Sequence, residues 1–146
     1  MQQENYTATL LVDKTPEEVY NAINNVTGWW STDFKGASQN AGDEFEVRFG
    51  DVHYSRHQLM ETAPNQKVVW LVTDSQLNFL KDKTEWNGTI NSFEIIPQAG
   101  KTQVLFTHHG LTPQIECFNS CTKGWNFYID SLQQLITTGK GQPNQL

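Results

Sequence analysis

A chain of 146 residues with a formal net charge of −6 and only two arginines, Arg48 and Arg56, has the length of one domain. It lacks the basic, arginine-bearing footprint of a nucleic-acid binder, and an anionic membrane surface would repel it. Hydrophobic residues make up only 37% of the chain, but five Trp, eight Phe and four Tyr are among them. A few large rings can therefore fill a core or wall a cavity.

No apolar run approaches the roughly 20 residues of a membrane helix. The start, Met1-Gln2-Gln3-Glu4-Asn5, has neither the basic region nor the apolar stretch of a signal peptide. Two cysteines, Cys117 and Cys121, make no disulfide framework. The expected setting is the soluble, reducing cytoplasm.

In chain order, Tyr6 to Val12 is rich in Thr and aliphatic residues and reads as a strand. Thr15-Pro16-Glu17-Glu18 announces a helix, with Thr15 as cap, Pro16 at the first helical position and Glu18 closing the capping box. Val19, Ala22, Ile23 and Val26 recur at helical spacing, so the helix runs to about Asn24. A second short turn carries Trp29 and Trp30, and Ser31 to Gly42 is a polar connection.

From Asp43 the period changes to two. Phe45, Val47 and Phe49 alternate with charges and share one buried face. Further strands are expected over Val52 to Ala63, Lys67 to Ser75, Glu85 to Ile96 and Thr102 to His109. Between the second and third of these lies a loop, Gln76 to Thr84, that carries Leu77, Phe79 and Leu80. A long helix over about Ile115 to Thr138 aligns Cys117, Cys121, Trp125, Tyr128, Leu132, Leu135 and Ile136 on one stripe, with Asn119, Lys123, Asn126, Asp130, Gln133 and Thr137 opposite. Gly139 ends it, and Lys140 to Leu146 is a polar tail expected to fray. The order is that of an α+β domain over residues 1–146, with an ordered core at about 6–138. Its sheet of about six antiparallel strands needs a cover, and the last helix is the only large amphipathic element available.

Thr15-Pro16-Glu17-Glu18-Val19-Tyr20 followed by Trp29-Trp30 resembles the opening of the START-like (SRPBCC) superfamily. Gly42-Asp43-Glu44-Phe45, the segment Thr102 to Leu111, and Gly124-Trp125 ahead of Leu132 resemble its branch related to activators of the ninety-kilodalton heat-shock chaperone ATPase. The resemblance runs from about Tyr6 to Thr138. It implies a helix-grip fold, a curved sheet wrapped around a long C-terminal helix. In many relatives a cavity between the two holds an apolar ligand. It implies no reaction.

Taken with the strand alternation, this points Phe45, Val47, Leu59, Phe93 and Phe106 inward, with His57, Asn91 and His108 as polar groups among them. Trp29 and Trp30 would close one end, and Cys117, Cys121, Trp125 and Tyr128 would face the sheet from the helix. By residue type alone these side chains fill a dry core; the resemblance makes them candidate ligand-binding residues. Leu77, Phe79 and Leu80 would form a lip.

Cys117 and Cys121, roughly 6 Å apart on a helix, could chelate a soft metal with His108, but the set lacks a fourth ligand. Small buried residues are the better account of them. His53 and His57, separated by roughly 13 Å of strand, cannot share an ion directly. No nucleophile elbow, paired catalytic carboxylates or phosphate loop is found, so no catalytic residue, metal or cofactor is assigned. The leading expectation is a protein that binds a small apolar or amphipathic ligand. The alternatives are an interaction module with a chaperone partner, and a small cyclase or hydrolase using His57 or His108. Oligomeric state cannot be read from the residues.

Overall fold

The computed structural model describes residues 5–143, so the segments 1–4 and 144–146, including the end of the expected polar tail, lie outside it. The elements follow in the order β1 (Tyr6–Val12), α1 (Pro16–Asn24), α2 (Val26–Trp29), β2 (Phe34–Gly36), β3 (Glu44–Phe49), β4 (His53–Ala63), β5 (Lys67–Leu77), β6 (Ile90–Gln98), β7 (Lys101–His109) and α3 (Phe118–Thr138). The strands form one antiparallel sheet in the order β1-β7-β6-β5-β4-β3-β2. β1 pairs with the last strand rather than the next one, so α1 and α2 carry the chain from one edge of the sheet to the other. The helix-grip expectation is met.

Local chemistry sets the helix ends. The Thr15 hydroxyl accepts from the Glu18 amide at 3.2 Å, and Pro16 occupies the first turn. Gly139 takes φ 85°, and its N–H closes onto the Leu135 carbonyl at 3.0 Å. α3 starts at Phe118, three residues later than expected, because Thr112 to Cys117 form turns. Its expected stripe is buried through Cys121, Trp125, Tyr128, Leu132 and Ile136. It packs on β1, α1 and α2.

The seventh strand is the three-residue β2, which falls in the expected connection Ser31 to Gly42 and lies on the edge beside β3. At Gly36, φ is 111° and a Cβ would sit 2.2 Å from the Glu44 carbonyl oxygen, so only glycine lets the two backbones approach. A second correction concerns Glu85 to Thr89, expected as strand; these residues form turns, and β6 begins at Ile90. The tail, expected to fray, folds back as far as it is described: Gly141 is buried and the Gln142 amide donates to Ser131 Oγ at 2.7 Å.

Two irregularities in the β4–β5 ladder, between Arg56 and His57 and between Leu59 and Glu61, bend the sheet. They also shift the alternation. Val68, Trp70 and Val72 point inward on β5, Thr73 and Asp74 are both exposed, and Ser75 and Leu77 point inward again. No helix among the described residues is long and apolar enough to cross a membrane.

Candidate functional site

All five tryptophans of the chain meet in one array. Trp29 and Trp30 enter from the end of α2, Trp70 from β5, Trp86 from the turns before β6 and Trp125 from α3. Trp29, Trp30 and Trp70 lie 5.9–6.3 Å apart with planes within 16° of one another. Trp125 stacks on Trp30 at 5.1 Å, and Trp86 continues the series at 6.0 Å from Trp125 with planes 4° apart. Such contacts add to the area the rings bury.

The outer end of the array opens into a cavity of about 520 Å³. Trp30, Trp86 and Trp125 form its floor; Cys121, Gly124 and Tyr128 line it from α3, Phe49 and His53 from the β3–β4 end of the sheet. Val52, Phe79 and Phe127, with Ser120 and Lys123, stand around it, and the three apolar ones are 42%, 46% and 39% exposed. The expected lip splits: Phe79 stands at the mouth, whereas Leu77 and Leu80 are buried.

The loop carrying Phe79 and Trp86 is stapled to the start of α3 from both sides. The Glu116 carboxylate accepts from the amides of Lys81 and Asp82 at 2.9 and 3.2 Å. The Glu85 carboxylate accepts from the amides of Glu116 and Cys117 at 2.7 and 3.0 Å. Cys117 itself, the N-cap residue, gives no side-chain cap, so Glu85 satisfies free amides at the helix start. The amides of Lys81 and Asp82 hold the Glu116 carboxyl below its ordinary range.

The Trp86 indole donates to Cys117 Sγ at 3.3 Å. Cys117 and Cys121 were expected as separate small buried residues; the structure joins them in a disulfide across the first turn of α3, their Cα atoms 5.5 Å apart. An offset of four residues on a helix brings two side chains within reach of such a bond. Among the described residues no group of three or more His, Cys, Asp or Glu is placed to hold a metal ion.

Three imidazoles lie along the inner sheet face. On β4 the Ser55 hydroxyl bridges Nε2 of His53 and Nε2 of His57 at 2.8 and 2.9 Å, donating to one ring and accepting from the other. On β7, His108 is wholly buried between Trp125, whose indole N–H donates to its Nδ1 at 3.0 Å, and Thr89, whose Oγ1 is 2.9 Å from its Nε2. Thr89 spends its hydroxyl proton on the Trp86 carbonyl at 2.6 Å, so it must accept from His108 Nε2–H. Burial pushes the pKa of His108 down to about 3 and that of His57 well below its ordinary value, and it lowers that of His53 as well.

Of the residues singled out from the sequence, Trp30, Cys121, Trp125 and Tyr128 line the cavity. Trp29, Phe45, Val47, His57, Leu59, Asn91, Phe93, Phe106, His108 and Cys117 are buried in the packed interior behind it. Sequence reasoning missed Trp86, because a strand reading of Glu85 to Ile96 gave it no special place. It also set Lys123 on the polar side and gave Gly124 and Phe127 no place in the cavity.

The model of the family described as Activator of Hsp90 ATPase homolog 1-like protein matches residues 13–137. The chain belongs to this family. The superfamily resemblance drawn from Thr15 to Tyr20 and from Thr102 to Leu111 is thereby confirmed. No curated protein matches the chain. Among solved structures it is similar to the Aha1 dimer of Colwellia psychrerythraea, with 24% identity, TM-score 0.76, and coverage of 94% of this chain and 99% of that one. A Staphylococcus saprophyticus protein is similar at 14% identity and TM-score 0.71, covering 97% and 100%. DynU16, from the dynemicin biosynthetic locus, is similar at 15% identity and TM-score 0.70, covering 96% of this chain and 49% of that one. At these identities the likeness is one of fold.

Proposed function

We propose that this member of the Aha1-like family is a binding protein for a small apolar or amphipathic molecule, held in the cavity between α3, the β3–β4 end of the sheet and the loop after β5. The observation that carries the reading is the aromatic floor of Trp30, Trp86 and Trp125 beneath a mouth where Val52, Phe79 and Phe127 stay exposed. A core that only had to be filled would close over such side chains, and grouped exposed apolar residues mark binding sites. Polar groups are few and peripheral: His53 at the sheet end, Ser120 and Lys123 on the helix rim. That distribution suits a ligand with an apolar body. Imidazoles pushed far below neutrality make weak general bases at neutral pH, so the chemistry supports binding over catalysis.

Native mass spectrometry of freshly purified protein, paired with solvent extraction, tests the reading. A reproducible extra mass that is lost on denaturation and resolves to one class of small molecule is the expected result. A protein that carries nothing and shows no saturable quenching of its tryptophan fluorescence by hydrophobic probes would overturn it.

A second reading, favoured by the family description, makes the exposed Phe79 and Phe127 part of a docking surface for a chaperone of the Hsp90 type. It requires that the protein stimulate the chaperone's ATPase, and that replacing these two rings by Ser abolish the stimulation.

A further inference from the structure

Behind Trp86 and Trp125 the inner sheet face carries polar side chains that the cavity lining does not include. Asn91 on β6 is wholly buried and stands opposite Trp70 of β5 on one side and His108 of β7 on the other. Neither its Oδ1 nor its Nδ2 has a hydrogen-bond partner, and the same holds for Nε1 of Trp70 and Nδ1 of His57. The rings of Trp70 and His57 are 5.5 Å apart, so the three residues are contiguous. Unpaired buried polar groups are costly and few in native interiors. Leucine has the same branched outline as asparagine and would occupy the place of Asn91 with no polar atom to satisfy.

Resting on the binding reading above, we propose that Asn91, Trp70 and His57 form an inner polar subsite. It receives the uncharged, hydrogen-bonding end of a planar ligand whose apolar body lies against Trp86 and Trp125. The Asn91 amide offers donors and an acceptor, and Trp70 offers a donor. His57 Nδ1 takes either role, because the Ser55 hydroxyl can donate to His57 or to His53. An ionised end does not fit. The rings packed around His57 and Trp70 are Trp29, Trp30, Phe45 and Phe93, none of which carries a charge, and Lys123 sits outside at the rim. Carboxamides, lactams and ketones match the subsite; carboxylates and ammonium groups do not. The near-parallel planes of Trp86 and Trp125 set the preference for a flat body.

The way in is short. His108 touches Trp86 at 4.8 Å and Trp125 at 6.0 Å between ring centroids, and it stands directly opposite Asn91. Shifting Trp125 to admit the ligand's end breaks its indole hydrogen bond to His108 and loosens its packing on Trp30 and Phe106, contacts that the ligand's flat body replaces.

The test titrates wild-type protein and an Asn91→Leu variant with 2-naphthamide, 2-isopropylnaphthalene and 2-naphthoate, followed by tryptophan quenching. Wild type is expected to bind the amide about ten-fold more tightly than the hydrocarbon, roughly the worth of one satisfied buried hydrogen bond. Asn91→Leu should erase that preference while leaving hydrocarbon affinity unchanged. Naphthoate, able to pair only with Lys123, should be indifferent to the substitution. In wild type the amide, and not the hydrocarbon, should shift the NMR signals of the Asn91 side-chain NH₂ and the Trp70 indole, a readout that stands even if the variant fails to fold. All three probes binding with equal affinity and without those shifts would overturn the subsite yet leave the cavity reading intact. Binding of none would remove both.

Discussion

The indole N–H of Trp125 on α3 points at Nδ1 of His108 on β7 across 3.0 Å, tying the covering helix to the sheet by a buried hydrogen bond between two aromatic rings. The bond fixes the imidazole. Nδ1 must accept, so the proton sits on Nε2 and is donated to Thr89 Oγ1, whose own proton goes to the Trp86 carbonyl. The turns before β6, the last strand and the helix are thus joined in one chain of donors that runs in a single direction.

Replacing Trp125 by Phe keeps a ring in place but strands the Nδ1 acceptor. Unfolding in urea should show a loss of at least about 1–3 kcal/mol, the cost of an unpaired buried polar group, with a further contribution from the smaller ring. Long-range ¹H–¹⁵N spectra of wild type should show the Nε2–H tautomer at His108. The Nδ1–H form there would contradict the assignment.

Acid should destabilise the protein well before its carboxylates titrate. His53, His57 and His108 all have folded-state pKa values below the ordinary 6.5, that of His108 at about 3. The unfolded chain therefore binds protons that the folded chain refuses as pH falls below about 6.5. The stability these residues confer is complete above that value and declines toward pH 3, by up to about 1.4 kcal/mol per pH unit for each imidazole. Urea midpoints measured from pH 7.5 to 4.5 should fall steadily, and a flat profile would mean the three rings are protonated in the fold.

Glu85, in the turns before β6, acts on a helix remote in the chain. By accepting from the amides of Glu116 and Cys117 it does for α3 what an N-cap side chain usually does. Glu85→Ala should cost about 1 kcal/mol, the common penalty for a lost cap, and should loosen the neighbouring Trp86. Hydrogen exchange at the Cys117 amide is the direct check: acceleration confined to the first turn of α3 is expected.

Gly124 separates filling the cavity from unfolding the protein. It lies inside α3, lines the cavity, and a Cβ built on it meets nothing within 4 Å. Gly124→Ala should stabilise by up to about 1 kcal/mol through helix propensity alone. Gly124→Leu should fold equally well and exclude the ligand from the cavity. A Leu variant that co-purifies with an undiminished ligand would place the binding site elsewhere, and one that retains chaperone stimulation would favour the docking reading.

Local rules made much of the fold legible. The Thr15 cap, the glycine stop at Gly139, the alternation of Phe45, Val47 and Phe49, and the stripe from Cys121 to Ile136 each depend on residues close in the chain, and each stands in the structure. The inward direction of Leu59, Asn91, Phe93, Phe106 and His108 was readable for the same reason, since a strand's period of two fixes which face a side chain takes. Strand β2 was not readable: three residues are too few to show a period, and Gly36 acquires its role only when Glu44 passes beside it.

The cavity was decided by the tertiary structure. Periodicity reports that a residue faces inward, but whether the space it faces is filled depends on the volume that remote elements bring there. Trp29, Trp30 and Trp70 pack against the inner end, so ten of the expected residues lie buried behind the cavity and outside its lining. At the outer end the turns before β6 deliver Trp86, and the helix face with Gly124 leaves room above it. Direction is a local property of the backbone, whereas emptiness is a sum over side chains that meet only after folding.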